Sequence, residues 1–209
     1  MEVKERIQEK ANDLFKRYGI KSITMDEIAA QLGISKKTIY QYFADKEDLV
    51  NAVIEEHVNS SQDDCLASIH DSENAIHEEF LVQDKVLEHM QDVNPAALHD
   101  MQRFHPAAYQ KFTRYKNNFM REMVGNNLRR GIREGLYRQE IRVDILSKFR
   151  VDSIFLSLSA DFLMESAFGL PELQQELFVH YLMGVASPKG HKLINQYLQE
   201  RRQNTRPVA

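Results

Sequence analysis

Apolar residues recur at three- and four-residue steps along most of the chain, and no run alternates apolar and polar positions between turn residues. That period predicts helices without strands, an all-α fold. Val3, Ile7, Ala11, Leu14 and Phe15 make one stripe over residues 2–18, which Gly19 ends. Thr24, with Glu27 three residues on, forms a capping box for a second helix through Leu32. Gly33 can take the left-handed conformation that ends this helix and turns the chain. Ser35 then stands where an N-cap belongs, for a third helix over residues 35–42. Asp45 caps a fourth, opened by Lys46, Glu47 and Asp48, whose acids suit the helix dipole. This fourth helix is expected to run to about Ser68, past the poor helix formers Asn59, Ser60 and Ser61.

The second and third helices have the makings of a helix-turn-helix. Ala29 is small enough for close helix approach, Gly33 makes the turn, and Ile39 points back into the shared core. Such a unit pushes one short helix into the major groove of DNA. Beyond it the pattern predicts helices near residues 73–91, 95–104, 106–134, 143–168 and 171–186. A turn at residues 187–190 and a last helix at 191–201 complete the chain. Residues 1–55 read as a small helix-turn-helix domain and 56–209 as a larger helical one. No proline- or glycine-rich linker separates them, so a continuous fourth helix would carry movement from one to the other.

Composition narrows the function classes. Apolar residues make up 43% of the chain, enough for a core. The net charge of −4 carries no general nucleic-acid signal, and nine Lys/Arg balance nine Asp/Glu within residues 1–50. Residues 35–42, however, hold two lysines and no acid, so any DNA contact must come from a local patch. A single cysteine, Cys65, excludes an intrachain disulfide and fits a reducing cytoplasm. No signal-like apolar segment opens the chain and no apolar run approaches the roughly 20 residues of a membrane span, so a soluble, cytoplasmic protein is expected. Eight histidines raise the question of a metalloenzyme, but there is no Glu-x-x-His pair, no HExxH and no cysteine pair. No metal, cofactor or catalytic set is expected.

The string IAAQLGISKKTIYQYFADKEDLV, with Gly19, Thr24, Ile28, Ala29, Gly33, Ser35, Thr38, Ile39, Tyr40, Tyr42, Phe43, Lys46, Glu47 and Leu49, resembles the tetracycline-repressor (TetR) family of bacterial transcription regulators. The match covers about a quarter of the chain. The rest, including GIREGLYRQEIRVDILS, looks in outline like that family's ligand-binding and dimerization domain. The resemblance implies a homodimer on a palindromic double-stranded DNA operator, with half-sites roughly 34–36 Å apart. It also implies release by a small-molecule effector, apolar or amphipathic. Repression needs only occupancy of a promoter and is the simpler sign. A transcriptional activator, or a ligand-independent helix-turn-helix protein working mainly through protein partners, remains an alternative.

The resemblance also implies roles for individual residues. Ser35, Lys36, Lys37 and Thr38 form the exposed start of the recognition helix, the lysines facing base edges or nearby phosphates. Tyr40 matches the family's phosphate-contacting tyrosine, and the Tyr42 hydroxyl can reach the DNA backbone. Lys46 matches its phosphate-clamping lysine, and Thr24 can donate to phosphate. Each has a structural rival: a solvated helix end for the lysines, helix caps for Thr24 and Ser35, core for Tyr40. In the second domain, segment 143–168 is apolar over most of its circumference, which suits one face inside and another on a partner. Phe155, Leu158 and Phe162, with Leu173, Leu177 and Tyr181, are the expected dimer contacts. Phe104, Tyr109, Phe112, Phe119, Met123, Phe155 and Phe162 are candidates for an apolar effector pocket, although aromatic residues at helical spacing are more often plain core. Asp161, inside an apolar segment, is read as bonding across the interface or reaching solvent.

Overall fold

A computed structural model describes residues 2–91, 93–94, 96–156 and 168–204. Local side-chain chemistry sets the first helices. α1 (Val3–Tyr18) stops at Gly19, whose φ of 83° only glycine adopts without strain. α2 (Met25–Leu32) opens on a reciprocal box: Thr24 Oγ1 accepts from Glu27 N–H at 3.2 Å, and Glu27 Oε2 accepts from Thr24 N–H at 2.6 Å. Gly33 ends it in the left-handed region at φ 65°. α3 (Lys36–Tyr40) is a five-residue helix whose N-cap, Ser35, accepts from Thr38 N–H at 3.1 Å. α4 (Lys46–Asp71) starts where Asp45 Oδ1 accepts from Asp48 N–H at 2.8 Å. It runs unbroken for 26 residues, through Asn59, Ser60 and Ser61, for about 39 Å.

Two apolar clusters hold the chain together. The first joins Ile7, Phe15, Ile28, Ile39 and Leu49 of α1–α4 with Phe43 from the link between α3 and α4. It also takes in Met101 of α6 (Ala96–Phe104) and Ala108 of α7 (Pro106–Arg114), so the helix-turn-helix rests directly on the helices after it. The second joins Ile76 and Phe80 of α5 (Ala75–Met90) with Leu128 of α8 (Arg121–Arg133). Phe178 and Leu182 of α10 (Leu170–Val185) and Ile194 of α11 (Pro188–Asn204) complete it. α9 is described over Val143–Leu156. Leu158, Asp161 and Phe162, and the expected stretch of that helix over 157–167, lie outside the described residues.

The structure corrects two expectations. Segment 106–134 is not one α-helix: Tyr115–Met120 winds as a π-helix between α7 and α8. Its wider turn stacks Tyr115 on Phe119, ring centres 5.7 Å apart, with Tyr115 buried; π-turns of this kind recur beside functional sites. Residues 188–190 open α11, with Ser187 just before it, rather than forming a turn. Pro188 takes the first helical turn, where its missing N–H costs nothing, and Ser187 Oγ accepts from Gly190 N–H at 3.1 Å. The junction is closed by Gly131, where a Cβ would stand 2.1 Å from the Tyr137 ring. Tyr137 lies there buried, donating to Asn127 Oδ1 at 3.0 Å, and pairs with Ala186 in an antiparallel bridge.

Candidate nucleic-acid interface and ligand cavity

α3 presents its outer side to solvent. Ser35, Lys36, Lys37, Tyr40 and Tyr42 are exposed, Thr38 is half-buried, and Ile39 is fully buried beneath them. Ser35 and Thr38 hydroxyls lie 2.9 Å apart, so both serve the cap while remaining at the surface. Lys36 Nζ lies 2.8 Å from Asp26 of α2, and that hydrogen bond raises the ammonium above the usual lysine range. The Lys37 side chain has no ion-pair partner among the described residues. Thr24 is exposed at the start of α2, its side chain engaged in the capping box. Lys46 sits differently: its Nζ donates inward to the Ile20 carbonyl at 2.5 Å and lies 6.0 Å from the Phe15 ring centre. Desolvation lowers its pKa.

Under this unit lies an apolar cavity of about 180 Å³. Its walls come from both parts of the chain: Phe15, Lys16 and Ile20 on one side, and α4, α5, α6, the π-turn and α9 on the other. Of the sequence candidates for a pocket, Phe112 and Phe155 line it, their rings edge-to-face at 5.3 Å. Tyr109 packs against the first core and Phe104 is exposed under the Lys21 ammonium. Phe119 stacks on Tyr115, Met123 is half-buried and outside the lining, and Phe162 is not described.

The polar lining escaped the sequence reading. His57 and Cys65 of α4 and His89 of α5 face the cavity. Burial pushes His57 down to about 4, helped by His89 and Lys16, and pushes the Cys65 thiol up to about 11, helped by Asp64. His89 Nε2 is 2.8 Å from Asp64 Oδ2 and its ring meets His57 edge-on at 5.3 Å. Spacing along one helix gives no hint of such pairs: Asp64 and His89 are 25 residues apart.

α6 connects cavity and DNA-reading unit. Ala97, Leu98 and Met101 line the cavity. Buried Asp100 accepts from Lys21 N–H at 2.8 Å, and just before α6 Asn94 N–H donates to the Lys16 carbonyl at 2.7 Å. At the helix's far end His105 Nδ1 is 2.5 Å from Glu47 Oε2 in the first turn of α4.

Of the expected dimer contacts, Tyr181 is buried in the second core and Phe155 in part at the cavity, so both serve the chain's own interior. Leu173 and Leu177 are half-buried. The open apolar side belongs to Ile145, Phe149 and Leu156 of α9, 54%, 52% and 46% exposed.

A capped short helix over a glycine turn, backed by a helical sensor-like body, defines a helix-turn-helix DNA-binding regulator. Residues 7–53 match the family model described as bacterial regulatory proteins, tetR family. An HTH-type transcriptional regulator of Staphylococcus aureus (strain bovine RF122 / ET3-1) is 28% identical over 162 residues, 76% of this chain and 79% of that one. A second, from S. aureus strain USA300, is 44% identical over 54 residues, a match spanning 26% of this chain and 29% of that protein. Among solved structures, a putative transcriptional regulator from Saccharomonospora viridis in complex with choline superposes with a TM-score of 0.72 at 18% identity, over 88% of this chain and 97% of that one. Residues 7–53 thus carry the DNA-binding domain of the tetR family of bacterial regulatory proteins, and over most of its length the chain is similar to an HTH-type transcriptional regulator. Among the described residues no helix is long and apolar enough to cross a membrane.

Proposed function

We propose that this regulator binds a palindromic operator as a cytoplasmic homodimer, represses from it, and leaves it when a small apolar or amphipathic molecule fills the cavity. The DNA-reading unit is residues 1–55 and the sensing and dimerization unit residues 56–209. One observation carries the reading: the cavity is walled by residues of both units, Phe15, Lys16 and Ile20 among them. A molecule entering it touches the back of the unit that would hold DNA. α6 offers the route, with Met101 on the cavity and Asp100 on the Lys21 N–H.

The effector acts through its differential affinity for two conformations, a coupling typically worth about 1–3 kcal/mol. Exposed Lys37, Tyr40 and Tyr42 are the groups that meet DNA, and Lys36 joins them by leaving Asp26. Thr24 and Ser35 cap their helices and offer hydroxyls to phosphate, while Lys46 supports the unit from within through Ile20. Dimerization uses the exposed side of α9 around Ile145 and Phe149 with Leu173 and Leu177. The choline complex of the S. viridis regulator supports small-molecule sensing in a chain of this fold.

The test is selection of random duplex DNA by the purified chain beside a Lys36→Ala/Tyr40→Phe double mutant. The expected result is a palindromic motif enriched by the wild type and blurred or lost in the mutant. A folded dimer that enriches nothing, or a single unpaired half-site, contradicts the proposal.

A further inference from the structure

The lining of the cavity has a sign. Lys16, His57, Lys85 and His89 stand around it, and no carboxylate does among the described residues. Two of these are already engaged: Lys85 Nζ lies 2.8 Å from Glu88, and His89 Nε2 2.8 Å from Asp64. The other two are not. His57 has no hydrogen-bond partner among the described residues, only the edge of the His89 ring at 5.3 Å. Lys16, half-buried on α1, has no ion-pair partner among them and lies close enough for its charge to act on His57. A half-buried imidazole on the cavity wall can donate a ring N–H to a ligand atom there.

We propose that the effector is a small amphipathic monoanion, a carboxylate on an apolar body, its head group held between the Lys16 ammonium and a donated His57 N–H. This rests on reading the cavity as the effector site. The apolar body fits the rest of the lining, where Val53, Val86, Leu98, Met101 and Phe112 stand. Size follows from volume: a cavity of about 180 Å³ is slightly larger than the ~150 Å³ apolar cavity that holds one benzene ring, so an apolar body of about seven carbons, the length of the octanoate tail, fits. A cation such as choline would meet two lysines and no carboxylate. Because Lys16 belongs to α1 and His57 to α4, the bound head group ties the first helix of the DNA-reading unit to the long helix beneath it.

Three probes with the same apolar body separate the possibilities: octanoate, 1-octanol and octylammonium, titrated calorimetrically into the full chain. Octanoate is expected to bind about tenfold or more tighter than octanol, with octylammonium weakest. Lys16→Met is expected to erase the preference for octanoate and leave octanol binding unchanged. His57→Gln, which keeps a donor, should retain most of the octanoate affinity that His57→Leu loses. Octanol binding as tightly as octanoate, or a preference that survives Lys16→Met, overturns the anionic head group and leaves the cavity as effector site standing. No heat from any probe, with cooperative thermal unfolding of the same sample, overturns both.

Discussion

Asp100, on α6, accepts the backbone N–H of Lys21 at 2.8 Å, across 79 residues of sequence. The carboxylate is buried, and a Cβ on Gly19 would approach the same oxygen to 3.0 Å, so the turn between α1 and α2 is fitted closely around it. The helix that carries Asp100 puts Ala97, Leu98 and Met101 on the cavity. Anything that moves α6 from the cavity side therefore pulls on the base of the helix-turn-helix.

Asp100→Ala leaves the Lys21 N–H without its charged partner, a loss of about 1.5–3 kcal/mol. The expected result is a lower urea midpoint with an unchanged slope. An unaltered midpoint would mean that the contact contributes nothing to holding the turn.

Lys37 and Lys36 should differ on DNA. Lys37 is exposed and unpaired among the described residues, whereas Lys36 must first leave Asp26. Lys37→Ala is expected to reduce the slope of log affinity against log salt by about 1, the signature of one lost phosphate contact. Lys36→Ala is expected to reduce it less. Fluorescence anisotropy on a selected duplex from low to high salt checks both, and equal slopes for the three proteins would remove Lys37 from the interface.

Acid should weaken the fold through His57. Its folded value is about 4, below the ordinary 6.5. Between those limits the unfolded chain binds more protons, so stability rises with pH through the window and is lost as pH falls from about 6.5 towards 4. At about 1.4 kcal/mol per unit the full effect is about 3 kcal/mol. Urea midpoints taken at about pH 7 and about pH 4.5 should therefore separate widely in the wild type and less in His57→Phe. An identical separation would show that His57 is solvated.

The recognition unit was legible in the sequence because its signals are local. Thr24 with Glu27, Gly33, Ser35 and Asp45 each act on backbone within three residues, and each stands where the helix boundaries need it. The π-turn at Tyr115–Met120 left no such mark, since an extra residue in a helical turn does not disturb an apolar stripe enough to be seen. Pro188 was ambiguous, because proline ends one helix as readily as it starts another. The cavity was hidden for a different reason. Its polar groups come from Lys16, His57 and His89 on three helices, brought together only by the fold. The inward direction of Lys46 was not legible either: its side chain donates to the Ile20 carbonyl, a contact that position alone does not reveal.

Phe149 and Ile145 lie one turn apart on α9, both about half exposed. Phe149→Glu places a charge in the proposed interface and is expected to shift the mass in sedimentation equilibrium from two chains towards one. A wild type that is already monomeric at micromolar concentration, or a mutant dimer of undiminished affinity, would move the interface elsewhere.

The central claim is that filling the cavity disfavours the DNA-binding conformation, and it can be tested without knowing the effector. Ala97, on α6, faces the cavity, and Ala97→Phe fills part of it from within. The measurement is the affinity of this variant for a duplex selected by the wild type, with helical circular dichroism and dimer mass verified on the same sample. A folded dimer that binds the duplex about 5–150-fold more weakly is the expected result. A folded dimer that binds it as tightly as the wild type would contradict the account.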